Sequence, residues 1–404
     1  MANNNAGNEK YTVAADNNDP SEWKPLGWDI DFGQYGTGTD SLSELVLAEA
    51  AAPTEVKKDL SLRAKIIDSC GMTCTFCHNE GTPVKVDNPV GIVSVGSIAG
   101  RSGRVSVFSD RNGVDFLPGR MDPDDPSFGY ALTVMHDRVG LRELHLTGGE
   151  PTLHTKLAGI ISLAGSLGYS VAMTSNGERG AESIAACAEA GLRKINFSIF
   201  GTTPEELASV QAQKYQDVER AGKKIDALHK SIDVAANAGI IVAANIVMLD
   251  ESHAERVVRV IDEFDPRLDV RILPDLTNAH ASAASIYKLL GILGARPVLA
   301  TVEAGSSNAR VKYELPGGRF VTFKQIRPTR IEACNDCELN NPEDCKEGFY
   351  GTRLYVDTDG QYRVGVCLQR MDLTAPIDDF LSGPLSQQVV DLREREYTDF
   401  TKNR

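Results

Sequence analysis

Apolar and polar positions follow two regimes along the chain. Residues 1–55 show no periodicity and are rich in Asn, Asp, Gly and Ala, so little of this stretch can enter a core and it reads as an extended or disordered arm. Its aromatic run, EWKPLGWDIDFGQYG, carries both tryptophans and suits an arm anchored on a surface as well as a free one. From Leu62 short apolar runs take over, at 62–67, 141–147, 170–175, 194–199, 240–248 and 269–273. Between them lie stretches at 156–167, 182–190, 221–238 and 254–264 with apolar residues at helical spacing. Strand, crossover helix and next strand in repeated order predict an α/β fold with a parallel sheet. Six such units predict a partial (β/α)6 TIM-type barrel over 56–300, with its chemistry at the carboxyl ends of the strands.

Two stretches depart from this pattern. Residues 82–125 interrupt the first strand and its helix; VSVFSDRNGVDFL within them reads as a hairpin turning at Asn112-Gly113, either a lid or a decoration. Beyond about residue 300 the helical alternation stops. VKYELPGGRFVTFKQI and RLYVDTDGQYRVGVCL read as hairpins turning at Pro316-Gly317-Gly318 and Asp359-Gly360. A region of 301–404 built from small hairpins and four cysteines predicts a metal-stapled appendage, since so little chain buries too little core unaided.

Apolar residues at 42% and charged residues at 24% are ordinary for a globular protein and exclude none of this. The net charge of −14 does change the picture, because nucleic acid and anionic membranes both require a positive footprint. No apolar run reaches the roughly 20 residues that cross a bilayer, and the N-terminus lacks the basic start and apolar stretch of a secretory signal. A cytoplasmic location is expected, where grouped thiols are metal ligands rather than disulfides.

Seven of the 8 cysteines fall into two groups. Cys187 stands alone in a helical run and reads as a small buried residue. Cys70, Cys74 and Cys77 form C-x3-C-x2-C in DSCGMTCTFCHNEG, at the end of the first strand. Three thiolates on a loop freed by Gly71 can bind three irons of a [4Fe–4S] cluster and leave the fourth open. A zinc knuckle completed by His78 is the alternative.

The second strand ends in LTGGEP, where Gly148 and Gly149 permit close approach of a ligand and Glu150 offers a carboxylate to an ammonium group. Ser175 and Asn176 end the third strand, and Ser198 lies on the fourth. Together with C-x3-C-x2-C these motifs resemble the radical S-adenosylmethionine (SAM) superfamily. That resemblance implies that the open iron chelates SAM. It also implies that Phe76 belongs to the cluster motif and that Gly148, Gly149, Glu150 and Pro151 meet the SAM amine. Ser175, Asn176 and Ser198 would contact its carboxylate and ribose, with Val247 flanking the adenosine. A flavodoxin- or ferredoxin-type reductase is the implied electron donor.

Within that superfamily, LRAKIIDSC, LTGGEP, TSNG, NFSIFGTTPEEL, NIVMLDE, VRILPDL and YELPGGRFVTF occur in the order found in the GTP cyclase of molybdenum-cofactor synthesis. Of that family's triphosphate cage the resemblance places Arg63, Arg271 and Arg353 here. Two of its lysines correspond to Glu143 and Ala243 and a further arginine to Tyr355, and the Gly-Gly tail is missing. The architecture is therefore expected to be shared while the substrate differs. Cys334, Cys337, Cys345 and Cys367 also exceed the three cysteines of the cyclase. Four ligands imply a closed second [4Fe–4S] cluster, as in the SPASM and twitch subfamilies; a zinc ribbon is the alternative. The expected substrate is small and polar, nucleotide- or sugar-derived, with a peptide as the second reading and a non-catalytic zinc protein as the third. Arg310, Lys312, Arg319, Lys324, Arg327, Arg330 and Arg363 read as solvent-facing charge, and Arg353 alone as a binder of an anionic group.

Overall fold

The computed structural model describes residues 45, 48–77, 121–276, 278–341, 344–357 and 359–402, together with the backbone at 92–94, 97–99 and 105–106. Asn112-Gly113 and most of the N-terminal arm lie outside the described residues.

Strands β1 (Thr54–Lys58) and β2 (Ser61–Ile67) come first, and β3 (Ile92–Ser94), β4 (Ser97–Ala99) and β5 (Val105–Ser106) form a small antiparallel sheet of their own. All six barrel strands expected from the apolar runs are present. They are β2, β6 (Glu143–Gly148), β7 (Ser170–Ser175), β8 (Leu192–Ser198), β9 (Ile241–Met248) and β10 (Asp269–Pro274). They lie side by side in chain order and pair in parallel. The helices between them start on identifiable caps. Asp217 accepts from the Arg220 backbone N–H ahead of Val218–Asn237, and Thr203 with Glu206 makes a capping box ahead of Pro204–Ser209.

The sheet runs on past both ends of the barrel. On the β10 side it continues through β13 (Phe320–Ile326), β12 (Asn308–Glu314), β11 (Arg296–Ala304) and β1. On the β2 side β14 (Thr352–Val356) is added in parallel, followed by β15 (Tyr362–Gly365) and β16 (Ala375–Pro376). The two C-terminal hairpins are thus hydrogen-bonded into one 13-stranded sheet.

Strand alternation divides the barrel into two faces. Leu62, Ala64, Ile66, Leu144, Leu146, Ile195, Phe197, Ile246 and Ile272 are fully shielded, and burying this phase under the helices is the main apolar drive for the fold. The opposite phase carries Arg63 and Lys65 on β2, Glu143, His145 and Thr147 on β6, Lys194, Asn196 and Ser198 on β8, and Asp269 and Arg271 on β10. A closed TIM barrel fills its interior with branched apolar side chains. This inner face is polar and basic instead, which suits a binding surface.

Candidate functional site

The loop leaving β2 carries the first cysteine group and is fastened to the segment after Pro204–Ser209. Thr75 N–H donates to the Val210 carbonyl at 3.0 Å and Ala212 N–H to the Thr73 carbonyl at 2.9 Å. The buried Gln211 side chain completes the clasp. Its Oε1 accepts from Thr73 N–H at 2.8 Å, and its Nε2 points to Cys74 Sγ at 3.6 Å. Met72 N–H and Asn176 Nδ2 approach Cys70 Sγ at 3.4 and 3.5 Å. All three cysteines pack in one apolar cluster with Met72, Leu207 and Ile225. Burial, more than the neighbouring thiols and Glu150, pushes the Cys70 thiol above its ordinary range. A thiolate there needs a cation or a metal to offset its desolvation. Phe76 is half exposed with its ring 5.1 Å from that of Phe200. His78 lies outside the described residues.

LTGGEP meets the base of this loop. Gly149 N–H donates to the Ile67 carbonyl at 2.7 Å and Glu150 N–H to that of Ser69 at 2.9 Å. A Cβ on Gly148 would stand 2.0 Å from the Ile67 oxygen, and one on Gly149 2.3 Å from the Ser69 oxygen. The close approach that the glycine pair permits is therefore, in the first place, that of the chain's own cysteine loop. Glu150 is fully buried, and its carboxylate is engaged by protein. Oε1 accepts from Thr152 N–H, Thr152 Oγ1 and Ser175 Oγ at 3.0, 2.7 and 2.7 Å, and Oε2 from Asn176 N–H at 2.6 Å. Desolvation raises its pKa against the pull of these bonds. Glu150, Ser175 and Asn176 thus form one braced unit tying the ends of β6 and β7 to Cys70. Pro151 is buried behind it, beginning a short 3-10 turn.

The remaining residues line the inner face. Ser198 lies opposite Asn245 on β9, and Val247 opposite Leu273 on β10. Arg256, which sequence reasoning passed over, joins two strand ends by donating to the Phe200 and Val247 carbonyls, each at 3.0 Å. Arg63 and Arg353 are register partners on β2 and β14, with His145 beside Arg63 on β6. Arg271 reaches across the small Ala243 to Asn196 Oδ1 at 3.0 Å and pairs with Asp269 at 3.1 Å. Lys194, also missed, is half-buried near Arg271, and its amine makes no hydrogen bond or ion pair among the described residues. Burial first, then Arg271, pulls its pKa down to about 8. Its signal in the sequence was its phase, since it alternates with Asn196 and Ser198 along one strand.

The basic residues expected to face solvent do not form a surface set. Arg327 is buried against Glu396 at 2.8 Å, Arg310 pairs with Glu303, and Arg363 lies 3.6 Å from Asp357. The polar phase of the sheet turns these long side chains inward, where carboxylates or carbonyls receive them.

Cys334, Cys337, Cys345 and Cys367 line a single pocket with Arg330, Phe349, Arg370 and Leu373. Arg353 lies close enough to Cys367 to favour its thiolate, although burial dominates and lifts that thiol to about 11. The C-terminal pocket and the basic inner face are therefore neighbours. Among the described residues no three Cys, His, Asp or Glu side chains converge on a single metal ion. Cys70, Cys74 and Cys77 share one apolar cluster and the four C-terminal cysteines share one pocket, so soft thiolate donors of the kind that suit an iron–sulfur cluster or zinc are gathered at two places. No helix among the described residues is long and apolar enough to cross a membrane.

Residues 65–264 match the radical SAM superfamily. A probable GTP 3′,8-cyclase of Methanopyrus kandleri is 24% identical over 323 residues, spanning 79% of this chain and 85% of the relative. The GTP 3′,8-cyclase of Agrobacterium fabrum is 36% identical over 293 residues, 68% of this chain and 70% of the relative. Among solved structures, Streptococcus suis SuiB bound to S-adenosylmethionine shares 11% identity at a TM-score of 0.46, covering 88% of this chain and 74% of that one.

Proposed function

The chain belongs to the radical SAM superfamily and is a radical SAM enzyme, and from that premise we propose that it tailors a small anionic, nucleotide- or sugar-derived substrate held on the inner face of its sheet. Cys70, Cys74 and Cys77 would hold a [4Fe–4S] cluster whose fourth iron takes SAM. Bound together, these groups would supply radical hydrogen-abstraction chemistry. The chain's own part is placement and exclusion of water. On the cysteine loop Phe76 packs beside Phe200, and Gly148, Gly149, Glu150 and Pro151 would shape the wall that receives the methionine end. Ser175 and Asn176 hold that wall against Cys70, while Ser198 and Val247 flank the nucleoside.

The observation that carries the substrate class is the basic inner face within a chain of net charge −14. Arg63, Arg353, Arg271 and Lys194 share that face with Glu143 and with Asp269, which pairs with Arg271, and the cations beyond those carboxylates suit an anion. The relatives' name specifies a nucleoside triphosphate. Glu143 and Ala243, standing where that family's lysines are expected, favour a different or less charged anion. Calorimetry with pyrophosphate on the anaerobically loaded protein tests this. Binding that weakens at least tenfold in R353Q and K194Q is expected, and no binding to the parent protein rejects an anionic substrate.

A second reading, a peptide-modifying enzyme with an auxiliary cluster, is favoured by the four cysteines that line one C-terminal pocket. Iron analysis separates the cases. About eight irons per chain supports a second cluster, whereas about four irons with one zinc supports a structural zinc site.

A further inference from the structure

The C-terminal pocket contains a charged side chain that the cysteine pattern does not explain. Arg370 lies three residues beyond Cys367, and its backbone N–H donates to Cys367 Sγ at 3.4 Å. Its guanidinium is held as a fork by Asp372, Nε to Oδ1 at 2.7 Å and Nη2 to Oδ2 at 2.5 Å. The same residue lines the pocket beside Cys337, whose thiolate favours the charged guanidinium. One residue therefore meets Cys367 Sγ through its main chain and stands beside Cys337 in the same pocket. The carboxylate clamp removes the rotamer freedom that such a long side chain otherwise keeps. Arg330, the other arginine lining the pocket, is held by main-chain and amide contacts, donating to the Cys345 carbonyl at 3.1 Å and Asn340 Oδ1 at 2.7 Å, and its charge favours the Cys334 thiolate.

Resting on the reading of the four cysteines as ligands of a second iron–sulfur cluster, we infer that Arg370 is the positioning residue that sets that cluster's reduction potential. Reduction adds negative charge to a thiolate-ligated cluster. Hydrogen bonds to its sulfurs and a cation at its edge stabilise the reduced form and raise the potential. Asp372 does two opposed things. It aims the guanidinium at Cys337, and it cancels part of the charge. The pair is a quarter exposed on each side; D372N keeps an acceptor for Arg370 Nε while removing the opposing charge, so the charge effect outweighs the lost aim in that variant.

The test is an anaerobic potentiometric titration of the loaded full-length protein followed by electron paramagnetic resonance, with and without SAM. SAM marks the first cluster by changing its signal, and the second is read from the signal that SAM leaves alone. R370Q should shift the SAM-insensitive midpoint to lower potential and leave the SAM-responsive one in place, with iron content unchanged. R370K, which keeps the charge without the fork, should recover part of the shift. D372N, which keeps Arg370 and removes the opposing charge, should move the midpoint upward. Midpoints that do not move in R370Q or D372N at full iron content overturn the inference. If R370Q loses the second cluster, the direction of the D372N shift still decides, and a downward shift overturns it. A parent protein with about four irons per chain and no SAM-insensitive signal instead removes the underlying reading of a second cluster.

Discussion

Gln211 lies 137 residues from Cys74 in sequence, yet it clasps the loop that carries the first cysteine group. Replacing it with alanine removes the acceptor of the Thr73 N–H at 2.8 Å and the donor to the Leu207 carbonyl at 3.3 Å, along with the weak contact to Cys74 Sγ. Leaving a half-buried backbone donor without a partner costs about 1–3 kcal/mol. Because Ala212 N–H still bonds to the Thr73 carbonyl, the loop loosens rather than detaches. A loss of about 2 kcal/mol in the closed loop corresponds to roughly thirtyfold in the population competent to retain iron. The assay is the rate at which a chelator strips iron from the loaded protein under anaerobic conditions. Q211A should release the iron held by Cys70, Cys74 and Cys77 at least tenfold faster, while release from the C-terminal site keeps its parent rate. Q211E keeps the acceptor for Thr73 but brings a carboxylate toward a thiolate, so it should also weaken the first site. Parent-like release in both variants would refute the clasp, and equal acceleration at both sites would show a general loss of stability instead.

Gly149→Ala places a methyl group 2.3 Å from the Ser69 oxygen; the backbone there cannot yield, so circular dichroism and iron analysis should show folded barrel with little iron at the first site, or no folded protein. Glu49 is buried with Tyr287 Oη donating to it at 2.9 Å, and desolvation lifts its pKa from 4.5 to about 8. A raised carboxyl pKa contributes stability that is complete below the unfolded value and lost as pH rises through the folded one. The parent should therefore lose on the order of 3 kcal/mol between about pH 5 and pH 8. E49Q should remove most of that slope in denaturant melts across the window, and equal slopes contradict the assignment. Lys194, with its pKa near 8, should lose its charge and with it part of the pyrophosphate affinity above that pH, whereas K194R should hold affinity into the alkaline range.

The parts of this molecule that were legible in sequence are those whose causes are local. Parallel strands declare themselves through alternation, and Cys70, Cys74 and Cys77 converge because only a few residues separate them. Long-range closure left no comparable trace. β14 joins β2 with Thr352 bonding to Ser61 across 291 residues, and Arg327 finds Glu396 on the helix Pro384–Lys402. A basic residue followed by a distant carboxylate reads as surface charge until the fold brings the two together. Gly148 and Gly149 were recognised as a place of close approach, but the partner that comes close is the Ile67–Ser69 main chain. Gln211 and Lys194 were missed because a lone glutamine in a loop and a lone lysine in a strand carry no pattern of their own. Only the phase that Lys194 shares with Asn196 and Ser198 could have marked it.

If Cys70, Cys74 and Cys77 hold a cluster with one iron open to SAM, the loaded protein should cleave SAM when reduced. The direct measurement mixes the dithionite-reduced, iron-loaded protein with SAM and quantifies 5′-deoxyadenosine by chromatography. Release by the parent protein and none by C74A is the expected result. No release by a fully loaded parent, or undiminished release by C74A, contradicts the account.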